Sequence, residues 1–301
     1  MNIFMTGGTG FVGTALTRRL IAAGHSVTIL SQSENDTRFR MPNLVYRIGN
    51  PNLPGDWQTA VKDHDVIINL AGASIFSRWT DQQKEILRAS RMDTTKNLVD
   101  ALPPDAKHIT FFSTSAVGYY GFHEDEELTE ASPAGDDFLA RLAFDWESAA
   151  LRARTTGARV VITRFGIVLG RNGGALGQMI PLFKYFLGGP LGSGRQWFSW
   201  VHMQDLTEAF LFLLAHPELE GAVNLCSPNP VRNRDLGKAL GRVLHRPSYL
   251  PAPGFMIQLI MGEFGSVLLK GQRVVPRRLL ENGFSFAYPE IEGALRNIID
   301  S

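Results

Sequence analysis

The stretch Asn2-Ile3-Phe4-Met5-Thr6-Gly7-Gly8-Thr9-Gly10-Phe11-Val12-Gly13 decides the fold. Asn2 to Met5 reads as an apolar strand, and the glycines at 7, 10 and 13 follow without a break. The chain then continues with Val12, Leu16 and Leu20 at helical spacing, reaches Gly24 as a stop, and runs on as a second strand from Ser26 to Leu30. Strand, glycine loop, helix and strand make the unit that cradles a dinucleotide pyrophosphate. Glycine lets the backbone turn sharply, approach the phosphates closely and pack the helix on its strand, while the free N–H groups of the helix face the anion. Thr6, Gly7, Gly10, Phe11, Val12 and Gly13 are therefore expected to hold a cofactor. A glycine pattern alone also occurs in plain connectors, so the flanking elements carry the weight.

Further apolar runs at Leu44–Ile48, Val66–Leu70, His108–Phe112 and Val160–Phe165 predict more strands, with helical stretches between them, the longest at Thr80–Leu102 and Asp137–Arg154. This alternation predicts an α/β fold: a doubly wound parallel sheet of the Rossmann kind, with ligands at the carboxyl ends of its strands. Residues 1–170 are expected to form the dinucleotide-binding domain, and 221–227 to complete its sheet. Residues 171–301, dense in glycine at first, are expected to form mainly a smaller C-terminal substrate lobe with a tail at 251–301.

The 301 residues are 44% apolar and 20% charged, with a net charge of +1. Such a balance provides a large core and no broad basic field, so neither nucleic acid nor a membrane surface is expected as partner. The one cysteine, Cys226, sits in a strand-like run and reads as a packed thiol in a reducing, cytoplasmic setting. No apolar stretch is long enough to span a bilayer, no secretion signal is read at the amino terminus, and no metal-ligand spacing occurs.

The chain resembles an extended or atypical short-chain dehydrogenase/reductase of the YfcH-like branch of NAD-dependent epimerase/dehydratase proteins. The motifs that carry the resemblance are Thr6 to Gly13, Asn69-Leu70-Ala71-Gly72-Ala73, Ser90-Arg91, Ser115 to Gly121, Arg164-Phe165-Gly166-Ile167-Val168-Leu169-Gly170 and Gly192 to Gln196. The tail from Pro276 to Pro289 is similar to that branch's small C-terminal domain. The resemblance implies that Leu70, Ala71, Gly72, Arg91 and Phe165 border the cofactor and that Phe112 and Ser113 run beside the nicotinamide ribose. It assigns Ser115 the place of the family's catalytic serine and puts Gln196, Trp200 and His202 over a small-molecule substrate. It also implies a homodimer paired through the two long helices.

Where an NAD-selective site ends its second strand in a carboxylate, this chain has Ser31, Gln32 and Ser33, so NADP(H) is expected to be preferred and NAD(H) remains open. Arg38 and Arg40 lie in the loop beyond. Typical relatives place a Tyr and, four residues later, a Lys on the helix after the serine loop. With Glu147 as register, those positions hold Leu139 and Ala143, and no Tyr or Lys occurs between Gly121 and Phe183. Tyr119 or a bound water is then the candidate proton carrier beside Ser115. Ser74, Tyr120 and Arg164 join the expected substrate rim. An NADP-dependent oxidoreductase or epimerase-like enzyme acting on a small polar or nucleotide-linked substrate, and a non-catalytic NADP(H) sensor, are the two readings that result.

Overall fold

The structure, a computed structural model, describes residues 1–33, 40–171 and 173–300. The first half alternates strand and helix: β1 (Asn2–Thr6), α1 (Phe11–Ala22), β2 (Ser26–Ser31), β3 (Leu44–Ile48), β4 (Val66–Asn69), α2 (Asp81–Asp100) and β5 (Thr110–Ala116). After the short β6 (Glu127–Leu128) come α3 (Phe138–Leu151), β7 (Arg159–Phe165), β8 (Ile167–Leu169), α4 (Gly174–Lys184), β9 (Trp197–Phe198), β10 (Trp200–His202), α5 (Met203–Ala215) and β11 (Gly221–Leu225). The rest is β12 (Val231–Arg232), α6 (Asn233–Leu244), α7 (Gly254–Met261), α8 (Glu263–Leu268), β13 (Arg273–Val274), α9 (Arg277–Glu281) and α10 (Ile291–Asp300).

Seven of these strands form one parallel sheet in the order β3-β2-β1-β4-β5-β7-β11, the doubly wound arrangement read from the sequence. Alternation along each strand splits the apolar residues between two faces. Ile3, Met5, Ile29 and Phe112 pack with Leu16 and Leu20 of α1 and Leu206 and Phe210 of α5. Phe4, Ile67, Phe111 and Ile162 face the other way, towards Leu98 of α2 and Ala150 of α3. Each such fully buried Leu, Ile or Phe contributes about 1.5–3 kcal/mol.

β5 runs past the expected end at Phe112 to Ala116, and this extension matters for the site. Ser115 thereby becomes a strand residue in register with Arg164 of β7. The helix that answers it, α3, is capped by Asp137, whose Oδ1 accepts the N–H groups of Leu139 and Ala140 at 2.9 and 3.1 Å.

The chain after residue 250 straps the molecule in several places. Phe264 of α8 packs on Trp79, Leu87 and Leu142, β13 pairs with β6, and α10 shares a cluster with α4 and α6. Between them, the buried Asp205 carboxylate takes the N–H groups of Ala287 and Tyr288 at 2.7 and 3.0 Å.

Candidate functional site

The glycine loop connects β1 to α1 at the carboxyl edge of the sheet. Gly7 has φ +70°, and a Cβ there would meet the backbone of Leu70 and Ala71 at 2.7–2.8 Å. Only glycine fits both demands. Gly13 is tighter still: a Cβ would come within 2.1 Å of the Gly7 carbonyl. Gly10 caps α1 in extended backbone with no side-chain bond, so the N–H groups of the first helical turn stay available for an anion. The Phe11 ring lies against Gly170, Gly173 and Gly174. The residues present thus fit a pyrophosphate held by backbone, with Leu70 and Ala71 as the opposite wall.

Behind the cradle the polar side chains are committed to one another. Thr6, fully buried, donates to Asn69 at 2.8 Å; the Asn69 amide and the Trp146 indole both donate to Thr95 at 2.9 and 2.8 Å. Gly72 lies against the Arg91 guanidinium, which donates to the carbonyls of Leu87 and Ala73 at 3.0 and 3.2 Å and faces the Trp146 ring at 5.2 Å. Burial pushes the Arg91 pKa down to about 10, so it remains a cation at neutral pH. Ser74 is exposed, and its hydroxyl accepts the Phe76 N–H at 3.2 Å.

Around Ser115 the structure builds a closed network. The Ser115 hydroxyl donates to Glu147 Oε1 at 2.6 Å. The same carboxylate receives Arg164 Nε and Nη2, both at 2.8 Å, in a bidentate pair with both side chains almost wholly buried. Arg164 Nη1 donates to the Tyr120 hydroxyl at 2.9 Å, which itself donates to Asn224 Oδ1 at 2.7 Å. Burial works against the Arg164 charge, but Glu147 more than offsets it and holds the guanidinium protonated. Burial raises the Tyr120 phenol, which stays neutral. Two turns before Glu147 Leu139 faces Gly118, and one turn before it Ala143 is buried, at the two positions where the Tyr and Lys were sought.

Several expected site residues therefore have other roles. Ser115 is 1% exposed and its proton is spent on Glu147, so it is not free to donate to a substrate carbonyl. Tyr120 and Arg164 are buried members of the network, not rim groups. Trp200 is fully buried with its indole on the Asn229 carbonyl. Gln196 ties the carbonyls of Leu191 and Leu268 together, each at 3.1 Å. Phe112 is fully buried against Phe210, which Phe165 also meets edge-on while remaining half-buried. Ser113 is buried with an unpartnered hydroxyl. Ser31 is buried and donates to the Ser33 carbonyl at 3.0 Å, forming a turn where a phosphate contact was expected. Gln32 is exposed, Arg40 is exposed, and Arg38 lies outside the described residues. Tyr119 is half-buried, packed against Val117 and Tyr120, with its ring 3.5 Å from the Arg164 guanidinium carbon.

His202 is a core residue. It is 4% exposed, accepts the Gln204 N–H at 3.1 Å as the cap of α5, and stacks on Tyr288 at 4.0 Å. Burial pushes its pKa down from 6.5 to about 4, against an opposing hydrogen bond with Asn297. Its stabilisation is complete above the ordinary histidine value and is lost as pH falls, because between 6.5 and about 4 only the unfolded chain binds the proton. His202→Asn, which keeps a capping side chain, is expected to flatten that loss by up to about 3 kcal/mol, read from urea midpoints at pH 7 and about pH 4.5.

Glu147, Asn224 and Asn69 are the residues the motifs did not single out as functional. Among the described residues no group of three or more His, Cys, Asp or Glu is placed to hold a metal ion, and no helix is long and apolar enough to cross a membrane.

Comparison with known proteins fits this geometry. Residues 3–226 match the NAD dependent epimerase/dehydratase family, and residues 252–298 match a domain of unknown function, DUF1731. The chain is 40% identical to the chloroplastic SDR39U1 homologue, an epimerase family protein of Arabidopsis thaliana, over 99% of this chain and 87% of that one. It is 38% identical to the epimerase family protein YfhF of Bacillus subtilis over 99% and 98% of the two chains. The crystal structure of human epimerase family protein SDR39U1 (isoform 2) with NADPH superposes with a TM-score of 0.86 at 34% identity, covering both chains completely. With its glycine cradle, doubly wound sheet and C-terminal strap, the chain belongs to the NAD dependent epimerase/dehydratase family.

Proposed function

We propose that this protein binds NADP(H) in the glycine cradle and is an oxidoreductase or epimerase-like enzyme on a small substrate, working without the usual Tyr and Lys. The preformed loop carries the reading: Gly7 in the left-handed region, Gly13 packed onto it and an uncapped α1 N-terminus are suited to a diphosphate. NADPH in the human relative supports the phosphorylated cofactor, as does the lack of a carboxylate in the Ser31–Ser33 turn. When bound, the nicotinamide supplies hydride chemistry. The chain's own part would be to keep the positions of the usual Tyr and Lys apolar, with Leu139 and Ala143 there, and to offer the Tyr119 phenol as proton carrier. Ser115 acts through Glu147 as a fixed part of the wall and offers only lone pairs.

A second reading, a cofactor-binding protein without turnover, is favoured by one observation: the Ser115 proton is consumed by the carboxylate that pairs with Arg164. Calorimetry and absorbance at the nicotinamide band separate the two. NADPH is expected to bind at least about tenfold tighter than NADH, a difference of about 1.4 kcal/mol. Oxidation of NADPH with a panel of carbonyl compounds, slowed by Tyr119→Phe at unchanged NADPH affinity, supports the enzyme. Tight NADPH binding with no turnover on any compound selects the sensor, and no binding of either nucleotide overturns both.

A further inference from the structure

The outer end of the molecule carries an apolar surface that the cofactor site does not use. Tyr185, Phe186 and Leu187, just after α4, and Phe255, Leu259 and Ile260 on α7 are each more than half exposed. The two segments run side by side: Ala252 donates to the Pro190 carbonyl and Gly192 to the Ala252 carbonyl, both at 2.9 Å. On α7 the exposed side chains sit at helical spacing, with Ile257 turned inward, so one face of the helix is wholly apolar and uncovered. Phe186 holds φ +62° at the end of α4, where glycine is usual, and still shows its ring to solvent.

Charge gathers at the same place. Residues 182–195 and 234–273 carry eight Lys and Arg against Asp235 and Glu263, and with Glu292 and Glu127, which pair with Arg242 and Arg273, counted as well the net is +4 in a chain whose total is +1. The chain average thus conceals a basic end. A cavity of about 520 Å³ opens there, lined by Lys238, Arg242, His245, Arg246, Ser248 and Tyr249. Arg242 is paired with Glu292, whereas Arg246 lies 4.9 Å from the Phe186 ring, so the cavity and the apolar surface adjoin. Ser248 Oγ is buried without a hydrogen-bond partner.

We propose that this end of the protein docks on the surface of an anionic phospholipid bilayer, with the apolar side chains of α7 and the 185–187 turn in the interface and a headgroup phosphate in the Lys238–Arg246 cavity. An amphipathic helix of this kind binds where apolar burial and attraction to anionic lipid act together. A second copy of the chain fits less well, because a two-fold contact would press this net-basic surface against itself. A grooved protein partner fits less well too, since the apolar side chains are carried on a helix and a turn.

The test is co-sedimentation of the full chain with vesicles of phosphatidylcholine alone and of equal parts phosphatidylcholine and phosphatidylglycerol, with NADPH affinity as the check on folding. Binding is expected on the anionic vesicles only and to weaken with salt. It should fall about fivefold in Arg246→Ala, and about tenfold or more in Leu259→Ser with Ile260→Ser, at unchanged NADPH affinity. Equal binding to both vesicles, no binding to either, or binding that survives these substitutions overturns the proposal. So does a dimer in sedimentation velocity that Leu259→Ser with Ile260→Ser disperses, since the face is then covered by a second copy.

Discussion

Glu147→Ala is expected to destabilise the fold by about 3–5 kcal/mol, the range for stranding one member of a buried ion pair. Arg164 is 5% exposed as a side chain and donates both of its carboxylate bonds to Glu147. Removing the carboxylate leaves a guanidinium in the core and frees the Ser115 hydroxyl at the same time. Two further variants separate charge from shape. Glu147→Gln retains the volume and one acceptor but not the charge, and should still lose most of that stability. Glu147→Leu combined with Arg164→Met removes both charges and should recover much of the loss, because a buried pair contributes little against well-packed apolar residues. Urea unfolding of the three variants and the parent decides it. If Glu147→Ala costs less than about 1 kcal/mol, the pair is not the keystone of the β5, β7 and α3 junction.

That junction also shows how far the sequence can be read. The strands were legible because strands buried on both faces are nearly continuous apolar runs, as in Val66–Asn69 and Arg159–Phe165. The cradle was legible because its glycines answer a steric demand. Glu147 and Arg164 could have been found as a pair, since each is a lone charge of opposite sign in an otherwise apolar stripe, Ala140-Ala143-Glu147-Ala150 on α3 and Val160 to Phe165 on β7. The burial of Ser115 was hidden, because it depends on how far β5 stays paired. Tyr120, Trp200 and His202 read as site residues for a related reason: each has an apolar body and a polar tip, and the tip can be satisfied equally well in a core. The basic apolar end was invisible to an average over the chain, since the remaining residues balance its charge.

Gly13→Ala is expected to weaken NADPH binding by about 100-fold or more, close to 2.7 kcal/mol. The reason is geometric. A Cβ at Gly13 would stand 2.1 Å from the Gly7 carbonyl and 2.6 Å from the Gly8 Cα, all backbone, so no side chain can yield. Either α1 shifts away from β1 or the loop deforms, and both move the N–H groups of the first turn off the diphosphate. Gly177→Ala is the matched control: that glycine lies in α4 with nothing within 4 Å of a new Cβ and is expected to leave the affinity unchanged while raising stability by about 0.5–1 kcal/mol. Calorimetric titration of both variants, with unfolding curves to show that Gly13→Ala remains folded, gives the comparison. Parent-like affinity in a folded Gly13→Ala protein would mean that the diphosphate is held elsewhere, since no arrangement of this loop accepts the extra carbon without moving the helix that forms its floor.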